Sequence, residues 1–263
     1  SLRPDEPFFM YMGFGAQHMP HQVPEEYIEM YEGKYDEGWE VIREQRFEKQ
    51  KELGVIPEDA ELAPLADGVP EWDSLSKEEQ ELYSTFMETY AGFLTHTDEQ
   101  VGRLMESLEE MGELDNTMIM LMSDNGASFS GGPQGAMNQG MAYNKVPEDF
   151  DQMYENMDLI GSEQGGSDYP SGWSQVSNTP FEEFKGTTHA GGIRVPLIVH
   201  WPEGIETKGE VRNQFTHVSD LTATVYDILD IEPPADMNDT EQMDITGVSF
   251  ADTFDDSEFE TEK

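Results

Sequence analysis

The stretch MIMLMSDNGAS, Met118 to Ser128, decides how this chain is read. Five apolar residues, the length of a buried strand, run into Ser123-Asp124-Asn125-Gly126. In layered α/β folds ligands collect beyond the carboxyl ends of strands, so a strand ending on a carboxylate and an amide is a candidate ligand site. Asp124 and Asn125 offer two hard oxygen donors with one negative charge, a pairing suited to Ca²⁺ or Mg²⁺. Gly126 lets the backbone turn tightly behind them. The same tetrapeptide also makes an ordinary Asn-Gly turn, and the D-x-[DN]-x-[DN]-G spacing of an EF-hand is absent.

Outward from this strand, FFMYMGF (Phe8 to Phe14) predicts a second buried strand and IRVPLIVHWP (Ile193 to Pro202) a third. Helices are predicted over Pro24 to Tyr31 and Asp36 to Leu53, with Gly33 and Gly54 as stops. Ser76-Lys77-Glu78-Glu79 has the capping-box pattern. A long helix follows to about Met111, with Leu82, Phe86, Tyr90, Phe93, Leu94, Val101, Leu104 and Leu108 on its apolar face. A further helix is predicted over Asp220 to Leu229, supported by His217. From Asp124 to Gly192 the chain makes a long excursion rich in Gly, Met and Asn, with one helix near Glu148 to Ile160. Connections of that length inside a domain are usually functional. This order predicts an α/β fold, a largely parallel sheet flanked by helices. Residues 1–250 belong to it, and 251–263 form an acidic, frayed tail.

Charge is the compositional outlier. Asp and Glu number 56 against 14 Lys and Arg, a formal net charge of −42 spread from end to end. Aromatics at 11% rule out a disordered acidic chain. A folded protein with this charge repels itself unless salt screens it, so the composition implies halophilic adaptation. Nucleic acid and anionic membranes are excluded as partners for such a surface. With no cysteine there is no disulfide, no thiolate metal site and no cysteine nucleophile. The compartment and the oligomeric state leave no mark in the sequence.

Against this background a retained cation is informative. Lys185 and Arg194 are the only basic residues between Lys145 and Lys208, and Lys185 lies in FKGTTHAGG. It reads either as a point charge for an anionic substrate or as a solvated surface lysine. His18, in GAQHMPH, reads as a proton donor to a leaving group or as a structural hydrogen-bonder. His189 carries the same two readings. The loops bearing His18 and His21, Asp124 and Asn125, and Lys185 are expected to meet at one rim.

Four segments together resemble a known family: Pro7 to Asp59 (PFFMYMGFGAQHMPHQVPEEY and onward), YAGFLTHTDEQVGRLMESLEEMGELDNTMIMLMSDNGAS, NTPFEEFKGTTHAGGIRVPLIVHWPEGI and HVSDLTATVYDILDIEPP. They are similar, in order and spacing, to the middle and later parts of the arylsulfatases, members of the alkaline-phosphatase-like superfamily. The resemblance implies that superfamily's layered fold, here incomplete. It also implies sulfuric ester hydrolysis of a small-molecule sulfate ester. By the same resemblance Asp124 and Asn125 ligate a divalent cation, usually Ca²⁺, and Lys185 contacts a sulfate oxygen. His18 stands by the ester oxygen as proton donor, and His189 is a weaker substrate contact.

The family's nucleophile is a formylglycine made from the Cys or Ser of a C/S-x-P-x-R motif. That motif, and the Asp pair that completes the family's metal site, are not in this sequence. The chain therefore reads as a segment carrying half of an active site. Two rival readings remain: a phosphodiesterase or phosphonate hydrolase of the same superfamily, and a non-catalytic cation-binding paralogue.

Overall fold

Helix α3 (Lys77–Glu110) starts where local chemistry directs it. The Ser76 Oγ accepts the Glu79 N–H at 3.1 Å, and the Glu79 carboxylate accepts the Ser76 N–H at 2.7 Å. Two otherwise orphaned donors are satisfied reciprocally, which fixes the first turn. Along its apolar face Leu82, Phe86 and Leu108 are buried, while Leu94 remains 51% exposed. Upstream lie α1 (Glu25–Glu29) and α2 (Gly38–Glu52), and the predicted stops Gly33 and Gly54 both take positive φ. Only glycine adopts that conformation without steric cost.

The computed structural model describes residues 6–261 and shows two compact units. The first comprises the segment ending at Gln50, Asp59–Glu106 and Ser123–Pro196; the second comprises Lys51–Glu58, Ser107–Met122 and the segment from Leu197 onward. The core of the first unit is aromatic. Trp39, Trp72 and Trp173 pack edge to face with ring centroids 4.7 to 5.7 Å apart. Tyr35, Leu82, Phe86, Met87 and Val176 close around them.

The long excursion is more helical than the sequence suggests. It holds α4 (Gln139–Tyr143), α5 (Phe150–Glu155), α6 (Ser171–Ser177) and α7 (Ala190–Ile193). Asn138 and Asp149 cap α4 and α5 through their side-chain oxygens. Helix α6 is buried along nearly its whole length, so its short polar residues gave no amphipathic pattern to read.

In the second unit β1 (Ile119–Met122) pairs with β2 (Leu197–His200), Ile119 opposite His200 and Met122 opposite Leu197. The pair is antiparallel, as is the small hairpin of β3 (Asp236–Met237) and β4 (Thr240–Glu241). No parallel pair occurs among the described residues, where the alternation of strands and helices had predicted one. Strand order in sequence fixes neither which edges meet nor their direction.

The second difference is Phe8 to Phe14. It forms no strand, and Phe9 and Tyr11 are 82% and 89% exposed. An uninterrupted apolar run becomes a strand only when neighbouring strands take up its N–H and C=O groups. No strand among the described residues pairs with it.

Helix α8 (Val218–Ile228) begins with His217 as cap, whose N–H is accepted by the Asp220 carboxylate at 2.7 Å. The tail, expected to fray, instead turns at Ala251–Phe254 and buries Thr253 and Phe254. Arg212 donates to the carbonyls of both residues. Sequence reading saw the acids of this tail and missed its Phe254 anchor. No helix among the described residues is long and apolar enough to cross a membrane.

Candidate active site

Two of the candidate loops of the first unit, those of Asp124-Asn125 and of Lys185, are joined by backbone hydrogen bonds. Asp124 and Asn125 follow β1 directly, Asp124 exposed and Asn125 half-buried. The Ser123 hydroxyl donates to the Asn125 carbonyl at 2.8 Å, which curls the segment on itself. The Gly126 N–H then donates to the Gly192 carbonyl at 3.0 Å, and the Lys185 N–H donates to the Ala127 carbonyl at 2.9 Å. The Asp-Asn-Gly segment and the Lys185 loop, far apart in sequence, are thus held side by side.

Gly126 is needed for a reason other than the expected tight turn. A Cβ there would stand 1.7 Å from the Gly191 carbonyl oxygen. Close approach of two backbones, not a positive φ, excludes any side chain.

His18 is exposed, and its Nδ1 lies 2.9 Å from the Met19 carbonyl. A carbonyl only accepts, so Nδ1 carries a proton in this contact. His189 is exposed at the start of α7, its Nδ1 3.6 Å from the Glu182 carboxylate. A solvent-exposed pair of this kind contributes little stability. His21 is not at the rim with His18. It is 2% exposed, packed edge-on to Tyr90 at 5.0 Å and tilted against Tyr169 at 5.2 Å.

The group that sequence reading missed is Asp168. It is 2% exposed, accepts the Ser130 hydroxyl at 2.6 Å, and has an oxygen 3.8 Å from His21 Nε2. Burial pushes its carboxyl up to about 6, against the opposing pull of the Ser130 hydroxyl, the Tyr169 N–H and the positive charges of His18 and Lys185. Burial also pushes His21 down, to about 3, with the charge of His18 adding to the effect. The Asp-Tyr dipeptide of GSDYP gave no signal of this, because it lies 38 residues from Ser130.

The two shifts act on stability with opposite signs. Between pH 4 and 6 the folded protein keeps a proton on Asp168 that the unfolded chain releases, so this group adds stability as pH falls through 6. His21 does the reverse: the unfolded chain takes up a proton below pH 6.5 that the folded state refuses until about 3. Asp168→Asn should therefore be more stable than the parent at pH 8. Its advantage should shrink by up to roughly 3 kcal/mol as pH falls to 4, since one pKa unit corresponds to about 1.4 kcal/mol. Denaturant unfolding of both proteins at fixed KCl gives the difference curve, and a flat one would mean that no buried charge is lost.

As a cation site, Asp124 and Asn125 fit in part. A carboxylate and an amide oxygen suit a hard divalent ion, but Ca²⁺ takes six to eight oxygens. Among the described residues no group of three or more His, Asp or Glu could hold a metal. The pair supplies two positions of a coordination shell and no more.

Comparison with known proteins places the sequence in a family. The sequence profile described as Sulfatase matches residues 2–231. An uncharacterised sulfatase of Schizosaccharomyces pombe is 36% identical over 231 residues, covering 86% of this chain and 40% of that protein. The arylsulfatase of Klebsiella aerogenes is 31% identical over 248 residues, 94% of this chain and 51% of its own length. Human N-acetylgalactosamine-6-sulfatase is 29% identical over 147 residues, 56% of this chain and 20% of that protein. The chain thus spans about half the length, or less, of the relatives it matches. Family profile and relatives agree, and the chain belongs to the sulfatase family, with the mixed α/β fold which that membership implies.

Proposed function

We propose that this chain is the central and later part of a sulfuric ester hydrolase of the arylsulfatase type. The observation that supports it best is the backbone junction of Lys185 with the Asp124-to-Ala127 segment. An anion-binding lysine and a pair of cation-binding oxygens held side by side is what a sulfate ester requires. In this reading Lys185 binds a sulfate oxygen and stabilises the charge that grows there. His18, its Nδ1 proton committed to the Met19 carbonyl, protonates the leaving oxygen from Nε2. Asp124 and Asn125 would hold Ca²⁺, or Mg²⁺, which polarises the sulfate when bound. A formylglycine supplies the nucleophile in this reading, and none of the residues of this chain provides it. His189 is at most a contact at the edge of the substrate. The parallel sheet of the superfamily is proposed for the assembled domain.

The test is release of 4-nitrophenol by the full-length protein in molar KCl with Ca²⁺. Hydrolysis of 4-nitrophenyl sulfate should exceed that of bis(4-nitrophenyl) phosphate. Lys185→Ala should reduce it about 100-fold or more, the usual cost of losing one charge-stabilising donor. Residues 1–263 alone should turn over neither ester. Preference for the phosphodiester would favour the phosphodiesterase reading, and cation binding without turnover of either ester would leave a binding paralogue.

A further inference from the structure

Asn178 occupies a position that the mechanism above does not use. It follows α6 directly and is 7% exposed, with its N–H donated to the Ser174 carbonyl at 3.1 Å. Its side-chain amide is fully engaged. Oδ1 accepts the Ala127 N–H at 2.7 Å, while Nδ2 donates to the Ala127 carbonyl at 3.3 Å and to the Glu183 carbonyl at 3.1 Å. The side chain thus reads both polar groups of Ala127, as a neighbouring strand would. It also reaches the loop that carries Lys185, whose own N–H shares the Ala127 carbonyl.

What holds Asn178 is equally specific. Helix α2 presents Arg43, Arg46 and Gln50, at positions i, i+3 and i+7, along one face. Arg43 donates to the carbonyls of Ala63 and Phe181, Arg46 to Val176, and Gln50 to Thr179. The carbonyls around residue 178 are clasped from outside, so the amide of Asn178 is presented from a fixed base. Fixed base, bidentate amide and shared carbonyl form one path from α2 to both halves of the candidate site.

We propose that Asn178 is a positioning residue that sets the Lys185 loop in register with the Asp124-Asn125 segment. The proposal rests on the reading of Lys185 as the sulfate contact. It requires the amide itself. A carboxylate at this position would keep the bond to the Ala127 N–H but would face the carbonyls of Ala127 and Glu183 with oxygen instead of N–H.

The experiment measures inorganic sulfate binding to residues 1–263 by NMR, following the backbone amides of Lys185 and its neighbours, with the melting temperature of each variant recorded in parallel. Lys185→Met should abolish the saturable shifts. Asn178→Ala should weaken sulfate binding about tenfold, and Asn178→Asp at least as much despite its matching size. Arg103→Gln, on the exposed side of α3, should change nothing and guards against a general charge effect. If Lys185→Met binds sulfate as the parent does, or the parent shows no saturable binding, the reading of Lys185 is wrong and the proposal goes with it. If Lys185→Met loses binding while folded Asn178→Ala and Asn178→Asp keep it, Asn178 is only a structural tie and the proposal alone is overturned. Should Asn178→Ala fail to fold, Asn178→Asp decides between these outcomes.

Discussion

Gly126→Ala should reduce sulfate-ester turnover by the full-length protein about 100-fold, the loss that a misplacement near 1 Å can bring. The added methyl would begin 1.7 Å from the Gly191 carbonyl oxygen and 3.1 Å from Asn178 Oδ1. The first neighbour is backbone, and the second is the end of a side chain held by three hydrogen bonds. Gly191 cannot retreat, since a Cβ of its own would already lie 2.2 Å from the Glu183 carbonyl. The strand-like contact must open, and with it the bonds from Gly126 to Gly192 and from Lys185 to Ala127. Overpacking of this kind also costs about 1–3 kcal/mol of stability, so the melting temperature should fall as well. Gly102→Ala is the control. Nothing lies within 4 Å of its added methyl in the middle of α3, and a helix gains up to about 1 kcal/mol from such a change. Turnover by Gly126→Ala within threefold of the parent would remove the junction from the mechanism.

Trp173→Ala should destabilise the first unit by about 3–5 kcal/mol, the range for losing a fully buried large aromatic. Its ring is 0% exposed and meets Tyr35, Trp39 and Trp72 at centroid distances of 5.5 to 5.7 Å. Its indole N–H donates to the Tyr83 carbonyl at 2.8 Å, tying α6 to α3. Trp173→Phe should cost less, because most of the ring contact survives and chiefly the indole hydrogen bond is lost. Urea unfolding at fixed KCl, followed by circular dichroism, measures both. Equal losses for the two variants would assign the effect to the hydrogen bond instead of to packing. Because α6 also carries Asn178 at its end, Trp173→Ala is expected to weaken sulfate binding in the native state even where the chain remains folded.

The reach of the sequence can be seen in particular residues. Ser76 and Glu79 cap α3, His217 and Asp220 cap α8, and Gly33 and Gly54 take positive φ. Each of these was legible because both partners lie within a few positions of one another, and a local hydrogen bond or steric limit is complete in the sequence. The run of β1 was legible as a strand ending on Asp124-Asn125, but not its burial, which is only partial, and a like run at Phe8 to Phe14 found no partner. The resemblance carried by SDNGAS and FKGTTHAGG led to the family.

Tertiary structure decided the rest. It set β2 antiparallel to β1, left Phe8 to Phe14 exposed, and folded the long excursion into four helices. It brought Asn178 to Ala127, 51 positions away, and Asp168 to Ser130, 38 positions away. Asn178 and Asp168 are ordinary polar residues in the sequence, and what singles them out is burial beside specific partners. Burial and partnership belong to the packed chain. A side-chain amide two bonds from its backbone cannot announce which distant N–H it will meet, whereas a capping serine can.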